Sequence, residues 1–389
     1  MRVVIADDIT GAVELAGIGW RHGLAVSLQR DLSVAPPATD LLVLDTDSRS
    51  VTEAEARERV ARAAACVQPG DWVYKKVDSV LRGHVRAECT ELASRLGRKS
   101  VRLCPANPLF ARTVEAGCLR IAGKPLSQTS FANDPEWPAA TDQISTLLER
   151  STGWPCRTGA AAGNAAEGQI AAGDVTTAAD LLRWAGAVDR TVLPAGGGDF
   201  FEALLQHQGL RQQRSADWDL PPGPCLLVCG STAPASRAAV DRLAQAGRPI
   251  CDMPPDLFTA AGDPSAAIKR WVSDLGAALD RDGLAVLAIR HPVVTDGAVA
   301  RRLAAHCAQA VREVLQRVPV RVLLVEGGAT AAAVMAALGH AHWDVAGEVQ
   351  RGVGVLRPRG QELDLVLKPG SYPWPEKVLT RVLRVKGVE

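Results

Sequence analysis

One local pattern recurs through this chain and limits its fold more than any other. A short run of aliphatic and β-branched residues leads into a polar or glycine-bearing loop, and the loop leads into an apolar stripe at helical spacing. It first occurs in RVVIADDITGAVELAGIGW (2–20), where an apolar run ends at Asp7 and Asp8, a tight turn follows, and the period switches from strand to helix. LLVLDTDSRS (41–50) before EAEARERVARAAACV repeats it, as do WVYKKVDSVLRGH (72–84) before VRAECTELASRLG and TVLPAGGGDFFEALL (191–205). VRLCPANP (101–108) reads as a further strand, followed by a polar loop carrying Arg112, Thr113 and Gly117. Unbroken apolar strands alternating with helices predict an α/β fold: a mostly parallel sheet with right-handed crossovers, flanked by helices. The polar loops then line the carboxyl ends of the strands, where open α/β sheets bind small polar ligands.

At 389 residues the chain exceeds one ordinary core. The polar, then proline-rich stretch RQQRSADWDLPPGP (211–224) has the composition of a linker. Two domains are therefore expected, 1–212 and 221–389, each a mostly parallel sheet flanked by helices, with a ligand cleft between them. In the second, PCLLVCGS, LAVLAIRHP, RVLLVEGG, GVGVLRP and LDLVLKPG read as strands.

Composition excludes several functions. A formal net charge of +1 gives no electrostatic case for nucleic acid or an anionic membrane as a partner. No segment approaches the roughly 18–20 unbroken apolar residues of a membrane span, and MRVVIADD reads as a strand rather than a secretion signal. The nine cysteines are scattered singly, with no CxxC, as expected of isolated thiols in a reducing cytoplasm. A cytoplasmic location is the expectation.

The densest chemistry lies in DWVYKKVDSVLRGHVRAE (71–88), which carries Lys75, Lys76, Asp78, Ser79, Arg82, Gly83 and His84. Arginine and lysine can hold a carboxylate, and aspartates accept hydrogen bonds from hydroxyls. A carboxylate there could also orient or deprotonate an attacking hydroxyl. Plainer roles compete: one of Asp7, Asp8 and Thr10 can simply cap the following helix. On the plain alternative one of the adjacent Lys75 and Lys76 faces solvent, because strand neighbours point opposite ways, so only one need be a ligand, and His84 serves equally well as a structural hydrogen-bonding residue. In the second half, Gly230–Ser231, Gly327–Gly328 and Gly370–Ser371 stand at strand ends, where backbone amides can approach an anion. None forms a Walker A or GxGxxG motif. ADDITGA lacks the three-glycine dinucleotide fingerprint, and its aspartate pair would repel a pyrophosphate, which argues against a nicotinamide-dependent dehydrogenase. A nucleotide cradle, a positioned hydroxyl and nearby cations are what phosphoryl transfer requires.

The motifs VIADDITGA (4–12), YKKVDSVLRGHVRAE (74–88), LCPANPLFARTVEAGCLRIAGKPL (103–126), FANDPEWP (131–138), VCGST (228–232) and VEGGAT (325–330), in that order, resemble the four-carbon acid sugar kinase family from end to end. The resemblance implies an ATP- and Mg²⁺-dependent kinase acting on the terminal hydroxyl of threonate, erythronate or 3-oxo-tetronate. The N-terminal domain would hold the acid and the C-terminal domain the nucleotide. DSVLRG is closer to the DSTLRG of threonate-type members. On this reading Asp8 or Asp78 orients or deprotonates the hydroxyl, with Asp8 preferred. Asp7, Thr10, Arg49, Lys75, Ser79, Arg82, Gly83 and His84 would contact the acid. Gly230, Ser231, Gly327, Gly328, Ala329, Thr330, Gly354 and Gly370 would surround the nucleotide, with Lys368 approaching its phosphates. The metal ligands are not readable, and a homodimer is compatible with the sequence without being specified by it.

The chain departs from the family pattern in places. Ala329 and Ala331 stand where GGETS has an acidic residue and a serine, KPGSYP (368–373) replaces KSGGFG, and Glu14 stands where aspartate is usual. Proline at 369 removes a backbone donor. These departures keep a second reading open, a non-catalytic sugar-acid sensor with a degenerate nucleotide half.

Overall fold

The computed structural model describes residues 1–164, 166–231, 233–259, 262–292, 296–370 and 372–384; Thr232 and Ser371, both in motifs named above, lie outside them. The chain divides into two compact units, Met1–Arg214 and Ser215–Glu389.

The first unit opens with β1 (Arg2–Ala6), α1 (Ile9–Arg21), β2 (Val26–Gln29), β3 (Leu41–Asp45), α2 (Glu53–Ala65), β4 (Trp72–Lys76), α3 (Val85–Arg95) and β5 (Ser100–Cys104). A small antiparallel sheet follows, β6 (Arg112–Glu115), β7 (Cys118–Ile121) and β8 (Lys124–Pro125). Then come α4 (Ile144–Leu148), β9 (Cys156–Thr158), β10 (Ile170–Ala172), α5 (Ala178–Gly186), β11 (Val192–Gly196) and α6 (Gly198–His207). The main sheet is parallel throughout, in the order β2-β3-β1-β4-β11-β5-β10-β9. The chain winds one way from β1 to β2 and the other way from β4 to β5, so the switch point lies between β1 and β4. Register sets Asp45 and Lys76 beside Ala6. The loops bearing Asp7–Asp8, Ser48–Arg49 and Asp78–Arg82 therefore leave the sheet side by side.

Local chemistry explains these elements. Val3, Val4, Ile5 and Ala6 are wholly buried, as a central parallel strand requires. Asp8 caps α1 by accepting from the Gly11 N–H, while Thr52 with Glu55 and Thr177 with Asp180 form capping boxes on α2 and α5. Tyr74 packs against Phe200 and Phe201 and donates to the Gly197 carbonyl at 2.8 Å, fixing the start of α6. A side chain at Gly196 would run into the Cys104 carbonyl oxygen, so β11 and β5 can pair this closely only with glycine there.

Two sequence expectations are corrected here. Arg112, Thr113 and Gly117 belong to a β-hairpin and not to an open loop: Ala116 (φ 50°) and Gly117 (φ 75°) form a two-residue left-handed turn between β6 and β7. Neither Lys75 nor Lys76 faces solvent, because helices cover both faces of the sheet.

The second unit contains β12 (Cys225–Cys229), α7 (Pro234–Gln245), β13 (Ile250–Asp252), α8 (Pro255–Thr259), α9 (Ser265–Asp282), β14 (Leu284–Ala288), α10 (Gly297–Leu315), β15 (Val322–Glu326), α11 (Gly328–Leu338), β16 (His342–Gln350), β17 (Val353–Pro358), β18 (Asp364–Lys368) and α12 (Glu376–Val382). Its sheet runs β13-β14-β12-β15-β18 in parallel and continues antiparallel through β17 and β16. Leu227, Val286, Leu324, Val355 and Val366 form its core with Trp374, Val378 and Val382. Among the described residues no helix is long and apolar enough to cross a membrane, and all the cysteines are free.

Candidate active site

At the switch point of the first unit, acidic and basic side chains neutralise one another in a largely buried cluster. Arg49 lies at its centre. Its Nε donates to Asp7 Oδ2 at 2.7 Å, Nη2 to Asp8 Oδ1 at 2.8 Å and Nη1 to Asp8 Oδ2 at 3.0 Å, while Nη1 stands 4.0 Å from Asp78. Burial alone would lower the Arg49 guanidinium, but the three carboxylates hold it well above its ordinary value. Asp8 also accepts from Thr10 Oγ1 and from Gly11 N–H at 2.9 Å, so both its oxygens carry two donors. Burial raises the Asp8 carboxyl, yet Arg49, then Lys76 and these hydrogen bonds bring it below the usual value.

The DSVLRG loop supplies the second half of the cluster. Arg82 grips Asp78 bidentately, with Nε and Nη2 each 3.0 Å from a carboxylate oxygen, and backbone N–H groups of Val80 and Arg82 donate to the same carboxylate. Against burial, Arg82 and then Arg49 hold Asp78 far below the ordinary carboxylate range. Gly83 (φ 87°) lies against Arg49, whose Cγ would be 3.2 Å from a side-chain carbon placed there. His84 Nε2 bonds the Val51 carbonyl at 2.7 Å and its ring meets Trp137 edge-on, which is structural support. Its Nδ1 is enclosed without a partner among the described residues.

The two lysines separate in role. Lys75 is fully buried and its Nζ is engaged by Glu88 at 2.7 Å and by the Lys76 carbonyl at 2.9 Å. Burial opposes its charge, but Glu88 and then Asp7 more than offset this and raise its pKa. The structure thus brings Lys75 to the underside of the cluster. Lys76, absent from the expected acid contacts, stands 3.8 Å from Glu14 and donates to the Val77 carbonyl.

The segment 107–138 adds residues that sequence reasoning missed. Asp134 meets Arg82 at 3.3 Å, Phe131 lies under both Arg82 and Arg112, and Arg112 Nη1 donates to Ser79 Oγ. The signal for Arg112 was the RTVE-AG-CLRI hairpin, which fixes the arginine at the head of a strand.

In the second unit the glycine turns at the ends of β12, β15 and β18 converge. A side chain at Gly230 would run into Thr330, and one at Gly370 would stand 3.3 Å from Ser231 Oγ and 3.5 Å from Gly327 Cα. Gly327 (φ 93°) precedes α11, whose first turn, with Gly328, Ala329 and Thr330, has no side-chain cap. Gly354 pairs with Leu367 beside this edge. These are features that phosphate groups fit: a close backbone approach, two hydroxyls and a helix start with N–H groups not capped by a side chain. Lys368 does not point outward to such a group. Its wholly buried Nζ pairs with Glu326 at 3.1 Å and donates to the carbonyls of Pro369 and Tyr372. Glu326 in turn accepts from Ser236 and from Trp374 Nε1 at 3.0 Å. One buried pair therefore ties together the turns after β15 and β18 and the first turn of α7.

A model of a sugar-binding N-terminal domain matches residues 2–204, and one of a nucleotide-binding C-terminal domain matches residues 226–372. Those matches define the class, a sugar-binding unit followed by a nucleotide-binding one. The D-threonate kinase of Bordetella bronchiseptica is 30% identical over 405 residues, spanning 95% of this chain and 93% of the relative. The 3-oxo-tetronate kinase of Pseudomonas fluorescens is 27% identical over 406 residues, with 95% and 93% coverage. The chain belongs to the four-carbon acid sugar kinase family. A solved Salmonella typhimurium LT2 protein superposes with a TM-score of 0.81 over 99% of each chain at 19% identity, a likeness of fold.

Proposed function

We propose that this chain transfers the γ-phosphoryl group of ATP to the terminal hydroxyl of a four-carbon sugar acid of the threonate or erythronate type. The observation that carries the reading is the buried Asp7–Asp8–Arg49–Asp78–Arg82 cluster at the switch point of the first unit. A fixed set of carboxylates and guanidiniums suits a small ligand that bears a carboxylate and several hydroxyls. The second unit would hold the nucleotide at Gly230, Ser231, Gly327, Gly328, Thr330 and Gly370.

The cluster's chemistry refines the roles. Asp8 has all its acceptor capacity filled, so it is an anchor for Arg49 and α1 rather than the group that meets the hydroxyl. Asp78 Oδ1 takes one close donor and retains room to accept from a substrate hydroxyl, whereas Asp7 Oδ1, without a donor among the described residues, is itself enclosed. A carboxylate held far below its ordinary pKa is a weak base but a permanent anion at neutral pH. It orients a hydroxyl, and a loose phosphoryl-transfer transition state depends chiefly on orientation and charge stabilisation.

Bound ATP supplies the phosphoryl group. Mg²⁺ commonly binds through one or two carboxylates together with phosphate oxygens and water. Among the described residues no three His, Cys, Asp or Glu side chains are arranged to hold a metal alone, so a metal arriving with the nucleotide is the form that fits.

A second reading, a sugar-acid sensor that does not turn over, is favoured by the internal engagement of Lys368 and by Pro369. A coupled assay of ADP release over threonate, erythronate and 3-oxo-tetronate separates the two. Acid-dependent release supports the kinase. Acid binding by calorimetry with no ATP binding in the presence of magnesium supports the sensor.

A further inference from the structure

Resting on that reading, we propose that Arg112 is the residue that recognises the substrate's carboxylate. Every other cation of the site already faces a carboxylate of the protein: Arg49 faces Asp7, Asp8 and Asp78; Arg82 faces Asp78 and Asp134; Lys75 faces Glu88; and Lys76 has Glu14 at 3.8 Å. Arg112 differs. Its Nη1 donates to the neutral Ser79 hydroxyl, and its guanidinium carbon lies 5.8 Å from the centre of the Phe131 ring. Among the described residues no ion pair joins it to a carboxylate, and the residue is half-buried. A partly exposed guanidinium whose neighbours among the described residues are a hydroxyl and an aromatic face still has donors to offer an anion.

Its geometry suits that anion. Guanidinium carries five N–H donors in a planar fork, and Ser79 takes one of them, leaving enough for a bidentate carboxylate. The base of the side chain is fixed: Arg112 N–H donates to the Asn107 carbonyl at 3.1 Å, its own carbonyl accepts from Asn107 N–H at 2.8 Å, and β6 pairs it with Ile121. Phe131 is shared with Arg82, 5.5 Å from its ring centre, so the fork stands beside the Asp78–Arg82 pair. A four-carbon acid anchored there by its carboxylate would have its hydroxyls next to the carboxylates that accept from them. On this account Arg112 separates a sugar acid from the neutral polyol of the same length.

The test titrates the full-length protein by calorimetry with D-threonate, D-erythronate and 3-oxo-tetronate, and with the neutral tetritols threitol and erythritol, in wild type, R112Q and R112K. Loss of the charged fork from a contact that the bound acid would cover predicts that acid affinity falls roughly 100-fold or more in R112Q. R112K, which keeps the charge and loses the fork, is expected to fall by about 10-fold or more. The weak binding of tetritols should stay unchanged in both. If R112Q does not fold, R112K decides by the same acid-to-tetritol ratio. Acid affinity within about threefold of wild type in the variant, or equal loss for acids and tetritols, overturns the role of Arg112 while leaving the kinase reading intact. A wild-type protein that binds none of the acids overturns the kinase reading and this inference with it.

Discussion

Lys75 was expected from the sequence to touch the acid, and its surroundings make a different and measurable demand. Lys75 and Glu88 are 2.7 Å apart, with 0% and 2% of their side-chain surfaces exposed, and Ser48 Oγ donates to the other Glu88 oxygen at 2.9 Å. Replacing Lys75 by Met removes the cation and leaves the Glu88 carboxylate desolvated; Glu88→Gln leaves the ammonium in the same state. Breaking a buried pair from one side costs about 3–5 kcal/mol. For a unit of this size that is a fall in melting temperature of roughly 6–20 °C. Removing both charges together, in Lys75→Met/Glu88→Leu, deletes the desolvation penalty along with the attraction, and such replacements are often neutral. The double variant should therefore melt well above either single one. Thermal unfolding followed by circular dichroism, with turnover measured per folded molecule at a lower temperature, gives both readouts. If Lys75→Met melts like wild type but no longer binds acid, the pair is not a structural strut and Lys75 is a ligand after all.

Asp8 and Asp78 are both held below their ordinary values, so the unfolded chain takes up protons first. Their stabilisation is whole above about pH 4 and is lost as the pH falls further. The melting temperature should drop steeply below pH 4 and less steeply in Asp78→Asn; equal slopes would remove this cluster as the source. In the second unit, Lys368→Met leaves Glu326 buried and unpaired, and should cost about 3–5 kcal/mol in denaturant unfolding. A Lys368→Met protein of normal stability with lost ATP affinity would make Lys368 a phosphate ligand instead.

The strand-loop-helix pattern explains why much of the first unit could be read from sequence. Carboxyl ends of parallel strands collect whatever polar residues follow them, so Asp7, Asp8, Arg49, Asp78 and Arg82 meet because of connectivity, with no long-range guesswork. Lys75 could not be read this way. Alternation says that neighbours point to opposite faces, but whether either face meets water depends on helices packed there by distant segments. Glu88 was hidden for the same reason, as a buried acid on α3 whose partner lies on a strand. Arg112 was missed because the Ala116–Gly117 turn carries weak hairpin chemistry, and its meeting with Ser79 and Phe131 is a tertiary event. Lys368 looked like a phosphate ligand because it precedes a glycine turn; its contacts to Glu326, Pro369 and Tyr372 depend on which carbonyls that turn aims inward.

The most direct test of the central claim is the product itself. The protein, ATP, magnesium and a four-carbon sugar acid would be incubated together and the acid recovered for mass and phosphorus NMR analysis. The account predicts one added phosphate, as a monoester on the hydroxyl carbon farthest from the carboxylate. Recovery of unmodified acid under conditions where both acid and ATP bind would contradict it.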